Sequence, residues 1–372
     1  MKSDDDYAID PTDRIDPTIS TASTVSRRGF LRAAAAGTAL VAAPWVRRAA
    51  AADDNMLYVN TWGGNWEAAA RQYLFDPFTK DTGVQIRTVS PISFAKLAAQ
   101  VRNGTYQFDV TTLGVTDTAR ANAAQLIEPA HGHLDEHALW SGAIYENGLA
   151  THAFANQIAY QKDAFGSGGI RNWSDFWNLK QYPGARSLQR YPTRVLAYAL
   201  LADGVPPEHL FPYDLDRAFR ALDRLKPAIR VWWTEGPQSQ QLLRDGEVKA
   251  IAIWNDYAKT VKDTSKTPIE IVWNQAVIDK GCWVVAKGTP RAKNAWRLVQ
   301  HIAGNPAGLA RFNAVDGSGP LNPKAFDYMD AATKQNAPTL PEHLQQAVVL
   351  DGVKLLPQLD QIASRFDRWM TL

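Results

Sequence analysis

Residues 231–257 read VWWTEGPQSQQLLRDGEVKAIAIWNDY, and the order of elements inside this stretch decides the fold class. The apolar run Ala250–Trp254 predicts a buried β-strand that carries Trp254, Asn255 and Asp256 to its carboxyl end, where open α/β sheets place ligands. A short helix over 240–243 and the polar turn 244–247 precede it. Before that helix, Trp232-Trp233-Thr234-Glu235-Gly236 sets two indoles and a carboxylate on a strand-to-loop transition. Trp233, Glu235, Trp254 and Asp256 are therefore candidate contacts for a small ligand with apolar and charged parts. Any one of these tryptophans reads equally well as core.

Outward from this stretch the alternation continues. Residues 56–62 predict a strand, Gly63-Gly64 a turn open to close approach, and 66–79 a helix. A strand over 84–89, a helix over 94–103 between Ser93 and Gly104, a strand over 108–113 and a helix over 117–124 follow. That spacing means βαβ units and a mainly parallel or mixed sheet flanked by helices. Residues 148–161, GLATHAFANQIAYQ, read as a long irregular strand crossing into a second lobe, and 282–286 as the strand that crosses back. Helices are expected over 292–303 and 305–313 and from 341 onward, with an ordered loop over 317–323. The expected organisation is a leader over 1–52, a discontinuous first lobe of 53–152 plus 284–372, and a second lobe of 153–283.

The 372 residues are 45% hydrophobic and 21% charged, enough to bury one large core or two smaller ones. Net charge is +2, and the basic residues gather into no stripe, so no nucleic-acid partner is expected. Ser26-Arg27-Arg28-Gly29-Phe30-Leu31-Arg32, a weakly apolar run to Val46 and the small residues Ala50-Ala51-Ala52 match a twin-arginine export signal with cleavage near Ala52. The run is too short and too rich in Ala for a spanning helix of roughly 20 apolar residues. Loss of 1–52 removes seven Lys and Arg and six Asp from totals of 40 and 38, so the mature chain is near neutral. A periplasmic location is expected. Cys282, the single cysteine, allows no intrachain disulfide and reads as a small core residue.

Little else suggests chemistry. His131-Gly132-His133 with His137 has metal-like spacing, but it sits between Pro129 and Asp135-Glu136 and reads as a solvated turn, so no metal and no cofactor are expected. Gly166-Ser167-Gly168-Gly169 lacks the flanking strand of a nucleotide loop. Glu235 and Asp256 leave one catalytic alternative, an exported hydrolase acting on a small polar substrate through that pair. A binding protein rather than an enzyme is the expectation.

Thr61-Trp62-Gly63-Gly64, residues 78–84 and 200–207, Trp232-Trp233-Thr234, Gly246-Glu247-Val248, Ile253-Trp254-Asn255, residues 283–288 and 319–323 occur together in an order that resembles the periplasmic solute-binding proteins of ABC importers, within them the spermidine/putrescine-binding branch. The resemblance implies a two-lobed periplasmic binding protein fold of type II with a hinge between the lobes. It also implies capture of a small molecule in the interlobe cleft, and transient docking on an inner-membrane permease. A monomer is expected. By the same resemblance, Trp62 and Gly63 fall on the first-strand contact, Gly114 and Thr116 on the third-strand loop, and Trp254 on the second-lobe aromatic. Where polyamine-binding relatives carry carboxylates, this chain has Gln189-Arg190-Tyr191-Pro192-Thr193-Arg194 and Gly281. Arg190 and Arg194 are suited to a ligand carboxylate, and Glu235 and Asp256 to an amine. The expected ligand is a small nitrogenous solute, polyamine-like or a zwitterionic amine of opine type.

Overall fold

A computed structural model of the chain describes residues 55–372. The twin-arginine segment and the cleavage site near Ala52 lie outside the described residues. The first strand, β1 (Met56–Asn60), buries Leu57 and Val59 completely. Gly63, at φ 78°, turns it into α1 (Gly64–Ala70), which passes through a π-helical stretch, Arg71–Phe75, into α2 (Asp76–Thr82). Next come β2 (Gln85–Val89) and α3 (Phe94–Asn103), with the Ser93 hydroxyl accepting the Lys96 N–H at 3.3 Å. β3 (Val110–Leu113) and α4 (Val115–Ala123) complete the first βα series.

The short β4 (Ile144–Tyr145) leads into β5 (Gly148–Gln161), buried along nearly its whole length. Beyond it lie α5 (Trp173–Trp177), β6 (Arg186–Gln189), α6 (Pro192–Ala202) and α7 (Leu215–Leu225). β7 (Ile229–Trp233), α8 (Gly236–Arg244), β8 (Ala250–Trp254) and α9 (Asn255–Thr264) follow. β9 (Ile269–Val285) runs back, and α10 (Ala292–Ala303), α11 (Pro306–Asp316) and β10 (Gly319–Pro320) return to the first series. The chain ends with α12 (Ala331–Asn336), α13 (Pro341–Leu344), β11 (Val348–Val349), α14 (Gly352–Leu355) and α15 (Leu359–Thr371).

The strands form one mixed sheet in the order β2-β1-β3-β9-β5-β8-β6-β7. β1 is parallel to β2 and β3, and β6 is parallel to β7 and β8, while β9 and β5 run antiparallel to each other and to the flanking strands β3 and β8. The two long central strands thus join a first half-sheet to a second. Sequence pattern separates 269–273 from 282–286 because Asn274-Gln275 interrupts the apolar run. The structure makes them one strand by bulging the polar residues out: Ile158 pairs with Val272 and Asn156 with Val277, and Gln275 sits at φ 62°. The Gln275 carbonyl then accepts the buried Trp173 indole N–H at 2.9 Å.

Each half-sheet has its own core. Leu57, Val59, Trp66, Trp283, Val299 and Phe312 pack around the first. Leu188, Val195, Tyr198, Phe219 and Leu222 pack on one face of the second, and Trp233, Leu243, Ile251, Ile253 and Val261 on the other. Residues 359–371, placed with the first lobe on sequence grounds, pack in the second half's core. The stripe Ile362, Phe366 and Trp369 has the 3.6 period of a one-faced helix, and Trp369 lies against Phe219 of α7 with ring centres 6.1 Å apart.

The central pairing depends on close approach at Gly148, where a Cβ would lie 2.8 Å from Cys282 Cβ and 3.0 Å from Val284 Cγ1. Gly148→Ala is expected to destabilise the fold by about 1–3 kcal/mol, because neither neighbour has a flexible end that can swing away. Urea unfolding followed by tryptophan fluorescence checks this, and an unchanged midpoint would show that β5 and β9 can separate at no cost.

Candidate functional site

Strand register brings two sets of carboxyl ends toward one another. β3 ends at Leu113 opposite Cys282, and β8 ends at Trp254 opposite Asn156, which is itself opposite Val277. The gap between them spans about five residues of β9, roughly 17 Å of strand. Asp279 stands in that gap, 5% exposed within an otherwise apolar stretch. Its Oδ1 accepts the backbone N–H of Val115 at the start of α4 at 3.0 Å, and its Oδ2 accepts Arg194 Nη2 at 2.7 Å. A Cβ on Gly114 would come within 3.1 Å of Asp279 Oδ2, so the glycine lets α4 begin against the carboxylate.

Arg194 projects from the first turn of α6. Its guanidinium lies 3.8 Å from the ring centre of Tyr191 and 4.2 Å from that of Trp254, a cation held between two aromatic faces. Nη1 donates to Gln189 Oε1 at 3.2 Å, and Nε is buried with no hydrogen-bond partner among the described residues. Burial opposes the charge, but Tyr191 and Asp279 outweigh it and hold Arg194 more firmly protonated than usual. Burial also raises the Tyr191 phenol, which Thr116 reaches from α4. Asp117, also on the first turn of α4, is raised by burial and then by the charge of Asp279. Its carboxylate has no hydrogen-bond or ion-pair partner among the described residues, and the charges of Arg120 and Arg194 act on it only from a distance. The cluster of Arg194, Asp279 and Asp117 therefore carries an excess negative charge when ionised.

Of the residues singled out on sequence, Gly114, Thr116, Arg194 and Trp254 meet here. Trp62 and Gly63 stand at the end of β1, with Trp62 55% exposed. Four others go elsewhere. Trp233 is core, fully buried with its indole N–H donated to Ala252 O at 2.9 Å, because alternation along β7 turns it inward. Arg190 lies before the helix that carries Arg194, and it points out to Asp367 of α15 at 3.5 Å. Glu235 is exposed at the start of α8. Asp256 faces not Glu235 but Asp316, at the junction of α9 with the end of α11.

Burial raises the Asp256 carboxyl to about 6, and burial with the Asp256 charge raises Asp316 to about 7. The residues that sequence reasoning missed are Asp279, Tyr191, Asp117 and Asp316. For Asp279 there was a signal, a lone carboxylate inside the apolar run 276–285. His131 bonds Glu136 and His133 stacks on Trp296 at 4.9 Å. No group of three or more His, Cys, Asp or Glu placed to hold a metal occurs among the described residues. Cys282 is fully buried and its thiol is pushed up to about 12, as a core residue requires. No helix among the described residues is long and apolar enough to cross a membrane.

Comparison with known proteins fits this architecture. Residues 73–342 match a family model described as bacterial extracellular solute-binding protein. The chain is 31% identical over 331 residues to a gamma-aminobutyric acid-binding protein of Pseudomonas aeruginosa, covering 86% of this chain and 92% of that one. It resembles the PBP AttC of Agrobacterium tumefaciens C58, solved in an open unliganded conformation, at 30% identity and a TM-score of 0.71, with 85% of this chain and 99% of that one covered. A GABA receptor of solved structure superposes with a TM-score of 0.78 at 27% identity, over 85% of this chain and 97% of that one.

The Asp256 and Asp316 carboxyls hold their protons to higher pH in the folded chain than the unfolded value of about 3.9. Between about pH 4 and about pH 7 the folded state thus binds more protons at these sites, and their contribution to stability falls as pH rises. His152, fully buried with its pKa lowered to about 4, pulls the opposite way over much of the same window. The measurement is therefore a comparison: relative to the parent, Asp316→Asn is expected to gain urea resistance as pH rises from about 4 to about 7. A difference that stays flat with pH would remove the pair as a source of pH dependence.

Proposed function

The chain belongs to the family of bacterial extracellular solute-binding proteins, and on that footing we propose that it captures a short zwitterionic amine, a molecule with separate ammonium and carboxylate ends. Family membership places it among binding proteins for small molecules in ABC transport rather than among enzymes. What carries the ligand class is the Arg194 clamp. In a site for a simple diamine, aromatic faces stack on the ligand's cation; here the space between Tyr191 and Trp254 is taken by the protein's own guanidinium. A ligand ammonium placed about 4 Å from that charge would be repelled by about 4 kcal/mol at an effective dielectric of about 20. A carboxylate there is attracted instead, and the unpartnered Nε of Arg194 is a donor ready for it.

Asp117 supplies the opposite end. Arg194 and Asp279 neutralise one another, so Asp117 is left to balance a ligand ammonium. The zwitterion then enters with no net charge to bury. The relatives support the same class, since the Pseudomonas protein is a gamma-aminobutyric acid-binding protein and the solved receptor is a GABA receptor. Because Arg194 Nε is buried, the ligand reaches it only when the halves part. The proposed movement is hinged on β5 and β9, with 53–152 and the returning helices closing on 153–283 and with Trp62, Gly63, Gly114 and Thr116 facing the ligand from the first side. Export by the twin-arginine pathway, cleavage near Ala52 and delivery to an inner-membrane ABC permease by a monomer complete the proposal.

Titration calorimetry of the purified chain against 4-aminobutyrate, putrescine and butyrate tests the class. The expected result is binding of 4-aminobutyrate well above the other two. Arg194→Met is expected to weaken it about 100-fold, about 2.7 kcal/mol, and Trp254→Ala about 30-fold, about 2 kcal/mol. Circular dichroism confirms that each variant folds. Tighter binding of putrescine than of 4-aminobutyrate, or full affinity in folded Arg194→Met, would overturn the reading.

A further inference from the structure

A cavity of about 190 Å³ lies where α9 of the second half meets α11 and α12 of the first. α9 packs with Ile251 and Ile253, and α11 packs with Trp66 and Trp283, so the cavity straddles the two cores. Asn255 fastens its back wall, accepting the Ala155 backbone N–H at 3.0 Å and donating to Gly317 O at 2.6 Å. Asp256 lines the cavity, and Asp316 stands beside it.

The side chains around it are short of free positive charge, and several of their polar atoms have no partner. Asn313, 1% exposed, lines the cavity with neither amide atom paired, and Ser318, 2% exposed, lines it with an unpaired Oγ. Asp316 Oδ2 is likewise unpaired; Ser318 lies near enough to draw its pKa down, yet not in hydrogen-bonding geometry. The cation on the lining, Lys259, is ion-paired with Asp263 one turn along α9. Buried polar groups left in this state carry a desolvation penalty that a fitting ligand removes.

We propose that this cavity binds a primary ammonium group with a short alkyl tail, its three N–H donors going to Asp256, Asp316 and Asn313 Oδ1. Size and lining decide against a metal ion. The volume is about six times a water's share of the liquid, which is far more than one ion fills. No group of three or more His, Cys, Asp or Glu placed to hold a metal occurs among the described residues, whereas Ala314, Ala332 and Ala337 suit an alkyl chain. Because one carboxylate stands on each half, the ammonium also ties the two halves together. Burial holds both carboxyls partly protonated near neutrality, so the cation takes its place by displacing protons.

The site stands on geometry separate from the Arg194 cluster, and the test keeps the two apart. The purified chain is titrated calorimetrically with n-butylammonium chloride in two buffers of different ionisation enthalpy, with calcium and sodium chloride as controls. The expected result is one saturable site for butylammonium, with a heat that depends on the buffer. It is expected to weaken about tenfold or more in both Asp316→Asn and Asp256→Asn, as loss of a charge-assisted bond requires, and to persist in Arg194→Met. Asp316→Asn is expected to keep its affinity for 4-aminobutyrate. No saturable butylammonium heat in the parent chain, undiminished binding in both Asp variants, or saturation by calcium instead would each overturn the proposal. Butylammonium binding that disappears in Arg194→Met would do the same, by locating the amine at the first site.

Discussion

The buried pair of Arg194 and Asp279 is the interaction on which the middle of this molecule depends. An ion pair with both side chains 7% exposed loses most of its hydration, and attraction alone offsets that loss only when the remaining polar atoms are also satisfied. Here much of that work is shared. Val115 N–H takes the second oxygen of Asp279, Gln189 takes Nη1, and two aromatic faces flank the guanidinium. Each partner comes from a different element, so α4, β6, β8, β9 and α6 are held in register by one pair of charges. Truncating either member would leave the other charged and uncompensated, which is a far larger disturbance than losing the pair outright.

The pair also sets what the cleft can accept. On the proposed reading, the guanidinium held between Tyr191 and Trp254 favours a ligand carboxylate there over an ammonium, with no change of fold. The negative groups left over, Asp117 beside it and Asp256 with Asp316 farther along the β8–α9 junction, are each raised by burial, which for Asp117 outweighs the opposing charges of Arg120 and Arg194. Unpaired acids kept at strand ends and helix starts destabilise the empty protein, and a positively charged group relieves that.

Much of the fold was legible because hydrophobic periodicity reports locally. The run Ala250–Trp254 is a strand, Trp254 stands at its end, and the long run over 148–161 is the crossing strand it was read to be. The misreadings have a common cause. Periodicity treats Asn274-Gln275 as a break, whereas the sheet absorbs the polar residues as a bulge because Trp173 supplies a partner for the Gln275 carbonyl. It assigns α15 by chain order, whereas the helix goes where its apolar stripe finds Phe219 and Trp232.

Gly114, Thr116 and Arg194 were marked by the family resemblance, whereas what the sequence determined by itself is the α/β alternation, the two crossings between half-sheets and Trp254 at the end of its strand. Those follow from local pattern, since side-chain direction along a strand or helix is a matter of spacing alone. Which charges meet was decided only by the tertiary structure. Arg190 and Arg194 are four residues apart, yet one reaches Asp367 on the surface and the other Asp279 in the centre. Asp256 finds Asp316 rather than Glu235, and Trp233 turns into the core while Trp232 packs on Phe366 and Trp369 of α15. Such pairings join residues tens of positions apart through the register of β5 on β9, and register is a property of the assembled sheet that no short window of sequence contains.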